Sequence, residues 1–192
     1  MKRGMSGGKS KYKVPHFNRI HGLKHYFWAG LRIAVGLIFI WAFFDKLLGL
    51  GFTTCFNSEI SKIDFMCKGA WISGGSPTSG FLEFGTRGPL AFLYQSLAGS
   101  AMIDWLFMIG LLGIGITLTF GFLVRLGSLS GVLLMILMYG AAFPPEHHPF
   151  IDEHIIYAII MLGFTFVHTC KHLGLGKWWN HFDIVKKNWI LE

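Results

Sequence analysis

Four long apolar stretches, with almost every ionisable residue at or beyond their ends, constrain this chain more than any other feature. They cover residues 26–50, 103–124, 126–143 and 155–170. The hydrocarbon core of a bilayer is about 30 Å thick, and about 20 helical residues are needed to cross it. Backbone groups in lipid must satisfy their own hydrogen bonds, so each stretch is predicted to be a spanning helix. We therefore expect an all-α integral membrane protein built as a four-helix bundle.

The composition agrees with a membrane domain. Of the 192 residues, 53% are hydrophobic and only 14% are charged. That apolar share is typical of membrane proteins, and the length suits one compact domain. Residues 1–25 are polar and basic and lack the apolar core of a signal peptide. The predicted organisation is a basic tail over 1–25, a transmembrane domain over 26–170 and a second tail over 171–192.

The charges are distributed unevenly along the chain. Residues 1–32 carry eight cationic side chains and no acid, residues 171–187 carry four lysines, and Arg125 lies between the second and third stretches. The positive-inside rule predicts that these segments are cytoplasmic, so both termini lie inside and the protein is a multi-pass protein of the inner (cytoplasmic) membrane. Arg32 is expected to extend its side chain to the headgroups. The basic tail indicates contact with anionic lipid, and no nucleic-acid reader accompanies it.

The long loop over 51–102 then faces the exterior. Its glycines, prolines and serines alternate with large apolar residues, which argues against a free linker. We expect it to form an extracytoplasmic cap packed on the helices. Cys55 and Cys67 both fall in this loop, and an oxidising compartment favours a disulfide between them. A redox-active dithiol and free thiols remain alternatives, although the spacing is far from Cys-x-x-Cys.

Small residues are concentrated in the second and third stretches, at Gly110, Gly113 and Gly115 and around Ser128 and Gly131. Small side chains let membrane helices approach closely. They predict a tight antiparallel hairpin between these two helices.

Five strings resemble the DoxX/DoxD family of small membrane proteins. They are WAFFDKLLGLGF (41–52), AWISGGSPT (70–78), TRGP (86–89), DWLFMIGLLGIG (104–115) and PPE with DEHIIY (144–157). The resemblance covers about residues 31–179 and implies four membrane helices. One member of the family is a subunit of an archaeal thiosulfate:quinone oxidoreductase and works with a second subunit. The resemblance thus implies a membrane component of a quinone-linked respiratory oxidoreductase acting on a reduced sulfur compound such as thiosulfate, with other membrane subunits as partners.

The predicted topology brings the chemically capable side chains to one outer face. A quinone needs a proton donor near the interface, and an oxyanion needs fixed cations. The candidate residues are Asp45, Asp152 and His154 as catalytic groups, Arg87 and Lys46 as the anion-binding cations, and Trp41 and Trp105 beside the quinone head group. The alternative interpretation is that the charged members form ion pairs and caps that hold the loop over the bundle, Asp152 capping the last helix.

The sequence indicates no tightly bound cofactor, since it has no nucleotide or flavin motif. Residues 146–154 are rich in Glu, Asp and His but lack helical His spacing, so no metal site is assigned. His168 and His172 are better spaced, and either haem or metal ligation or interfacial anchoring fits them. The competing hypothesis for the whole chain is a non-catalytic accessory subunit of a larger respiratory or other membrane complex. A solute transporter is disfavoured because the stretches lack acidic groups at mid-membrane.

Overall fold

The computed structural model describes residues 15–57, 62–167 and 173–191, and it is mostly helical. The helices are α1 (Pro15–Leu48), α2 (Ala91–Gln95), α3 (Ala101–Phe120), α4 (Val124–Ala142), α5 (Glu153–Phe166), α6 (Gly176–Trp179) and α7 (Asp183–Lys187). Two short strands, β1 (Phe56–Asn57) and β2 (Lys62–Ile63), pair antiparallel after α1. Single turns of 3₁₀-helix cover Trp71–Ser73, Gly88–Leu90 and Trp189–Leu191, and a π-helical turn covers Phe81–Gly85.

Three helices are long and apolar enough to cross a bilayer: Leu23–Leu48 within α1, α3 and α4. They coincide with the first three predicted stretches, and they support a membrane protein. The fourth stretch differs, because α5 has 14 residues and a length of about 21 Å at the helical rise. That is shorter than a bilayer core of about 30 Å. Residues 168–172, which include His168 and His172, lie outside the described residues.

The helices pack in chain order, α1 against α3, α3 against α4 and α4 against α5. Their shared core contains Phe39 of α1, Met108 and Leu118 of α3, and Met161 and Phe164 of α5. Large apolar side chains are also exposed on the outward helix faces, for example Leu133 and Ile159. An aqueous protein would bury most such side chains, whereas lipid solvates them.

Two glycines bring α1 and α3 together, a pair of helices that the small residues of the sequence did not predict. A Cβ at Gly115 of α3 would lie 2.9 Å from the backbone nitrogen of Ile40, and one at Gly36 of α1 would lie 2.6 Å from the backbone nitrogen of Thr119. Gly110 has open space around it, as Gly113 does. The predicted antiparallel hairpin of α3 and α4 is present, because three residues join the two helices and Gly127 of α4 lies against Thr117 of α3, but Gly110, Gly113 and Gly115 do not form its contact. Gly115 faces α1, because it shares the core-facing side of α3 with Met108 and Leu118.

The prediction that Arg32 reaches the headgroups is also wrong. Its side chain is fully buried. The guanidinium donates to the carbonyl of Leu118 and, over 2.7 Å, to the carbonyl of Leu173. The last carbonyls of a helix have no partner within it and attract a cation. Gly121 ends α3 with φ +72° directly beside the guanidinium, where a Cβ would lie 2.6 Å from Nη1.

Candidate functional site

All the predicted charged site residues lie at one end of the bundle, which we call the loop-bearing end. Here α1 and α4 end, α3 and α5 begin, and the segments 49–100 and 143–152 connect them. The loops are tied to the helices by side chains near the helix ends. The hydrogen-bond and ion-pair partners of each candidate residue show which of its atoms are already bound.

Asp45, in the last turns of α1, anchors the loop that follows. Its carboxylate is 1% exposed. It accepts hydrogen bonds from the backbone nitrogens of Phe52 and Thr53, both at 3.0 Å, and from the Thr53 hydroxyl at 2.6 Å. A carboxylate has about four acceptor positions, so three are occupied by the loop. These contacts support the interpretation of Asp45 as a structural anchor, and its catalytic role stays a prediction.

The two predicted anion-binding cations have separate partners. Lys46 donates from Nζ to the Thr53 hydroxyl over 3.0 Å. Arg87 pairs through Nη1 with Oε1 of Glu146 over 2.5 Å, and the two side chains are 53% and 56% exposed. Within the described parts of the chain, no hydrogen bond or ion pair links Lys46 to Arg87. A joint anion site formed by these two side chains stays a prediction.

The Arg87 turn is fixed to the end of α4 by its backbone. The Arg87 nitrogen donates to the carbonyl of Ala141 over 2.9 Å. Gly88 has φ +71° and lies against the carbonyl of Phe143, so a side chain at this position would collide with backbone. An exposed ion pair contributes only about 0–1 kcal/mol. The guanidinium can therefore leave Glu146 for an anionic ligand while the turn that carries it stays in place.

The sharpest chemical arrangement is formed by Asp152 and His154 at the start of α5. Asp152 caps the helix, as predicted, because Oδ1 accepts from the Ile155 nitrogen over 3.1 Å. Its Oδ2 lies 2.7 Å from Nδ1 of His154, and the Asp152 and His154 side chains are 11% and 14% exposed. An ionised carboxylate only accepts, so Nδ1 of the imidazole carries the proton. The neutral ring then has Nε2 as its acceptor, which is the arrangement of an oriented acid–base histidine.

Glu153 lies beside this pair, and one ligand atom from each of Asp152, Glu153 and His154 falls within 4.8 Å of the others. One oxygen of Asp152 and one ring nitrogen of His154 are bonded to each other, through Oδ2 and Nδ1. The cluster therefore stays an acid–base pair with a neighbouring carboxylate, and we assign no metal to it.

Asp104, in the first turn of α3, is a second buried loop anchor, and the sequence patterns assigned it no catalytic or binding role. Its side chain is 6% exposed. It accepts from the hydroxyl of Ser76 over 2.9 Å, and from the hydroxyl and backbone nitrogen of Thr78 over 2.5 and 3.2 Å. The available signal was an acid at the start of an otherwise apolar helix, together with a string of hydrogen-bond donors in the preceding loop.

The two tryptophans proposed for the quinone belong to different ring pairs. Trp41 packs edge-to-face on Phe52 with centroids 5.2 Å apart, and Trp105 packs on Trp71 at 4.7 Å. Trp41 also lines an open groove on α1 with Leu37, Ile38, Ile40 and Phe44. All these lining side chains are apolar apart from the indole nitrogen. The groove therefore suits a hydrocarbon chain better than a polar head group.

Cys55 and Cys67, the pair that the sequence favours, are joined by a disulfide in the structure. The bridge encloses the β1–β2 pair, in which Phe56 lies opposite Ile63. The Met66 nitrogen donates to the carbonyl of Leu48 over 3.1 Å, so the bridged loop is tied back to the end of α1. Its contacts are those of a structural bridge.

Comparisons with known protein families, with curated proteins and with solved structures found no match to this chain. The resemblance to the DoxX/DoxD family therefore stays an expectation based on the sequence strings. The function has to be inferred from the side chains at the loop-bearing end.

Proposed function

We propose that this protein is a multi-pass membrane subunit of a quinone-linked oxidoreductase, in which His154, oriented by Asp152, exchanges protons with the quinone at the loop-bearing end. The hydrogen-bonded Asp152–His154 pair is the observation that carries the proposal. A quinone takes up protons together with electrons when it is reduced, and a quinol releases them. A histidine whose ring is held by a carboxylate can accept a proton and give it back, which suits both directions of that transfer.

The location of the pair supports a membrane-soluble substrate. Asp152 and His154 begin α5 beside the end of α4, where a spanning helix meets the interface. The Tyr139 hydroxyl near the end of α4 donates to the carbonyl of Phe150 over 2.8 Å, which keeps the loop before α5 on α4. A quinone head group reaches this level from within the lipid. The apolar groove at Trp41 is suited to a hydrocarbon chain, and in this proposal the acid–base chemistry falls to His154.

The proposal includes the predicted fourth membrane crossing, which begins with α5. At the far end of the bundle, the Leu175 nitrogen donates to the carbonyl of Phe120 over 2.8 Å, and Arg32 binds the carbonyl of Leu173. The chain after α5 thus returns to the level at which α3 ends. The positive-inside rule then assigns this basic end to the cytoplasm and the loop-bearing end, as an extracytoplasmic cap, to the exterior of the inner membrane.

The proposed electron donor is a reduced sulfur anion such as thiosulfate, in line with the family resemblance. Arg87 is the better of the two candidate cations, because its guanidinium can donate to two oxygens of an oxyanion. Its ion pair with Glu146 is exposed to solvent. Lys46 is engaged with Thr53 next to the Asp45 anchor.

The test uses the full chain purified from native membranes in mild detergent, together with the subunits that accompany it. Thiosulfate-dependent reduction of a soluble quinone analogue is followed by its absorbance. His154→Gln is expected to lower turnover by about 10²–10⁴-fold, the usual contribution of an acid–base residue. His147→Gln replaces an exposed histidine in the loop just before α5, so it is the matched control and should keep full turnover. Wild-type turnover in a folded His154→Gln protein would refute the assignment.

A second candidate function is that of a non-catalytic accessory subunit. It is favoured by the use of Asp45, Lys46 and Asp104 as loop anchors, which leaves fewer free groups for chemistry. In that case, other subunits would co-purify with the chain, and the assembly would keep its turnover in the His154→Gln and Arg87→Ala variants. The same preparations therefore distinguish the two candidates.

A further inference from the structure

The segment 173–191 is folded onto the end of the bundle opposite the loops. The Leu173 carbonyl accepts from buried Arg32 over 2.7 Å. At the other end of the segment, the Trp189 carbonyl accepts from Nη1 of Arg125 over 2.8 Å, and the Arg125 guanidinium lies 4.8 Å from the centre of the Trp189 ring. The segment is thus held at both ends by arginines of two spanning helices.

These contacts fix the depth of the segment relative to the bilayer. Its Leu175 nitrogen binds the carbonyl of Phe120, the last residue of α3, and Arg125 is the second residue of α4. Both helices are long and apolar enough to span. A segment level with the ends of two spanning helices lies in the headgroup region, which is the usual position of interfacial aromatic residues.

The outward surface of the segment has the composition of such a position. Trp178 is 62% exposed and Ile184 is 70% exposed, and Phe182 and Trp189 are exposed beside them. Trp178 and Phe182 stack edge-to-face with centroids 5.2 Å apart, so these two rings form one apolar surface. Exposed aromatic and aliphatic side chains of this size favour contact with acyl chains near the headgroups.

The charges on this surface determine which headgroup it fits. Lys177, Lys186 and Lys187 are exposed, whereas Asp183 is the single acid among the described residues of this segment. Asp183 pairs with Lys186 over 3.0 Å, so two lysines remain for phosphate oxygens. Lys24, at the start of the membrane-spanning part of α1 (Leu23–Leu48), is also exposed. Among the described residues, the loop-bearing end has instead more acids than cations, with Asp45, Asp64, Glu83, Asp104, Glu146, Asp152 and Glu153 against Lys46, Lys62, Lys68 and Arg87.

We propose that the segment 173–191, with its exposed lysines and aromatic side chains, is a binding surface for the headgroups of anionic phospholipids. The buried arginines position the surface, the aromatic side chains enter the acyl region, and the lysines bind phosphate. Each lysine near an anionic surface contributes about fivefold in affinity. This assignment does not depend on the quinone chemistry at the other end.

The test uses full-length protein in detergent, titrated with brominated phosphatidylglycerol or brominated phosphatidylcholine. Residues 1–14 are also basic, so the readout has to be local. The difference in tryptophan quenching between the wild type and Trp178→Phe reports on this segment alone. The wild type should reach half-quenching at a roughly 10- to 100-fold lower concentration of phosphatidylglycerol than of phosphatidylcholine.

A triple variant replaces the three lysines: Lys177→Gln/Lys186→Gln/Lys187→Gln. Its local quenching is again the difference from the same variant carrying Trp178→Phe, and it should show no preference for phosphatidylglycerol. The control Lys68→Gln removes an exposed lysine at the loop-bearing end and should keep it. High salt should reduce the preference, whereas millimolar inorganic phosphate should leave it unchanged, because the surface binds an array of headgroups. Equal quenching by the two lipids in the wild type, or an unchanged preference in the triple variant, would overturn the proposal.

Discussion

Replacing Asp45 with alanine tests whether this carboxylate holds the fold or performs chemistry. The change removes the acceptor of three hydrogen bonds, from two backbone nitrogens and one hydroxyl of the loop after α1. A hydrogen bond to a charged group contributes about 1.5–3 kcal/mol, and neighbouring bonds do not add fully. Phe52 and Thr53 are exposed, so water replaces part of the loss. We therefore expect the free energy of unfolding to fall by about 2–4 kcal/mol.

The assay is unfolding of the purified protein by SDS in mixed micelles, followed by tryptophan fluorescence, with proteolysis of residues 51–57 as the local readout. The free energy of unfolding of Asp45→Asn should lie between those of Asp45→Ala and the wild type. The amide keeps one acceptor oxygen, but its NH₂ group, itself a donor, faces a backbone donor. Glu83→Ala removes an exposed carboxylate of the same end and serves as the control. An Asp45→Ala protein with wild-type stability and a closed loop would refute the anchoring argument. If that stable protein also lost turnover, Asp45 would be catalytic.

Three further predictions concern other contacts. Asp104→Ala should release the Ser76–Thr78 turn and abolish hydrogen-exchange protection of the Thr78 amide, and retained protection would contradict the bonds to Asp104. Arg32→Met should lower the free energy of unfolding by about 2–4 kcal/mol, because it leaves helix-end carbonyls without their charged donor, and should speed proteolysis of 173–191. Equal cleavage in Arg32→Met and the wild type would show that Arg32 does not hold this segment. Gly115→Val should cost about 1–3 kcal/mol by forcing α1 from α3, while Gly113→Ala, in open space, should cost nothing in the same SDS titration.

Several features of the fold were accessible from the sequence because they depend on neighbouring residues in the chain. A long apolar run predicts a helix wherever lipid is the solvent, and α1, α3 and α4 follow three of the predicted stretches. Asp152 followed by Glu153 predicts a helix start, and Asp152 caps α5. The two cysteines of the long loop are bonded to each other.

Only the approximate location of the candidate site could be predicted from the sequence. The alternation of helices predicted that Asp45, Arg87 and Asp152 share one end of the bundle, but not which group each of them binds. Lys46 and Arg87 have different partners, Thr53 and Glu146. Those choices depend on how the loops fold back over the helix ends, which involves residues far apart in the chain.

The amino-acid sequence by itself determined that the chain has three helices long and apolar enough to cross a membrane, approximately where they lie, and where its basic residues are concentrated. Only the tertiary structure decided that Arg32 is buried between Leu118 and Leu173, and that Gly115 faces α1. Hydropathy reports the preference of a segment for lipid over water, which each residue expresses locally. The side of a helix that meets a neighbour, and the partner of a buried charge, depend on how the helices pack, and no local pattern contains that information.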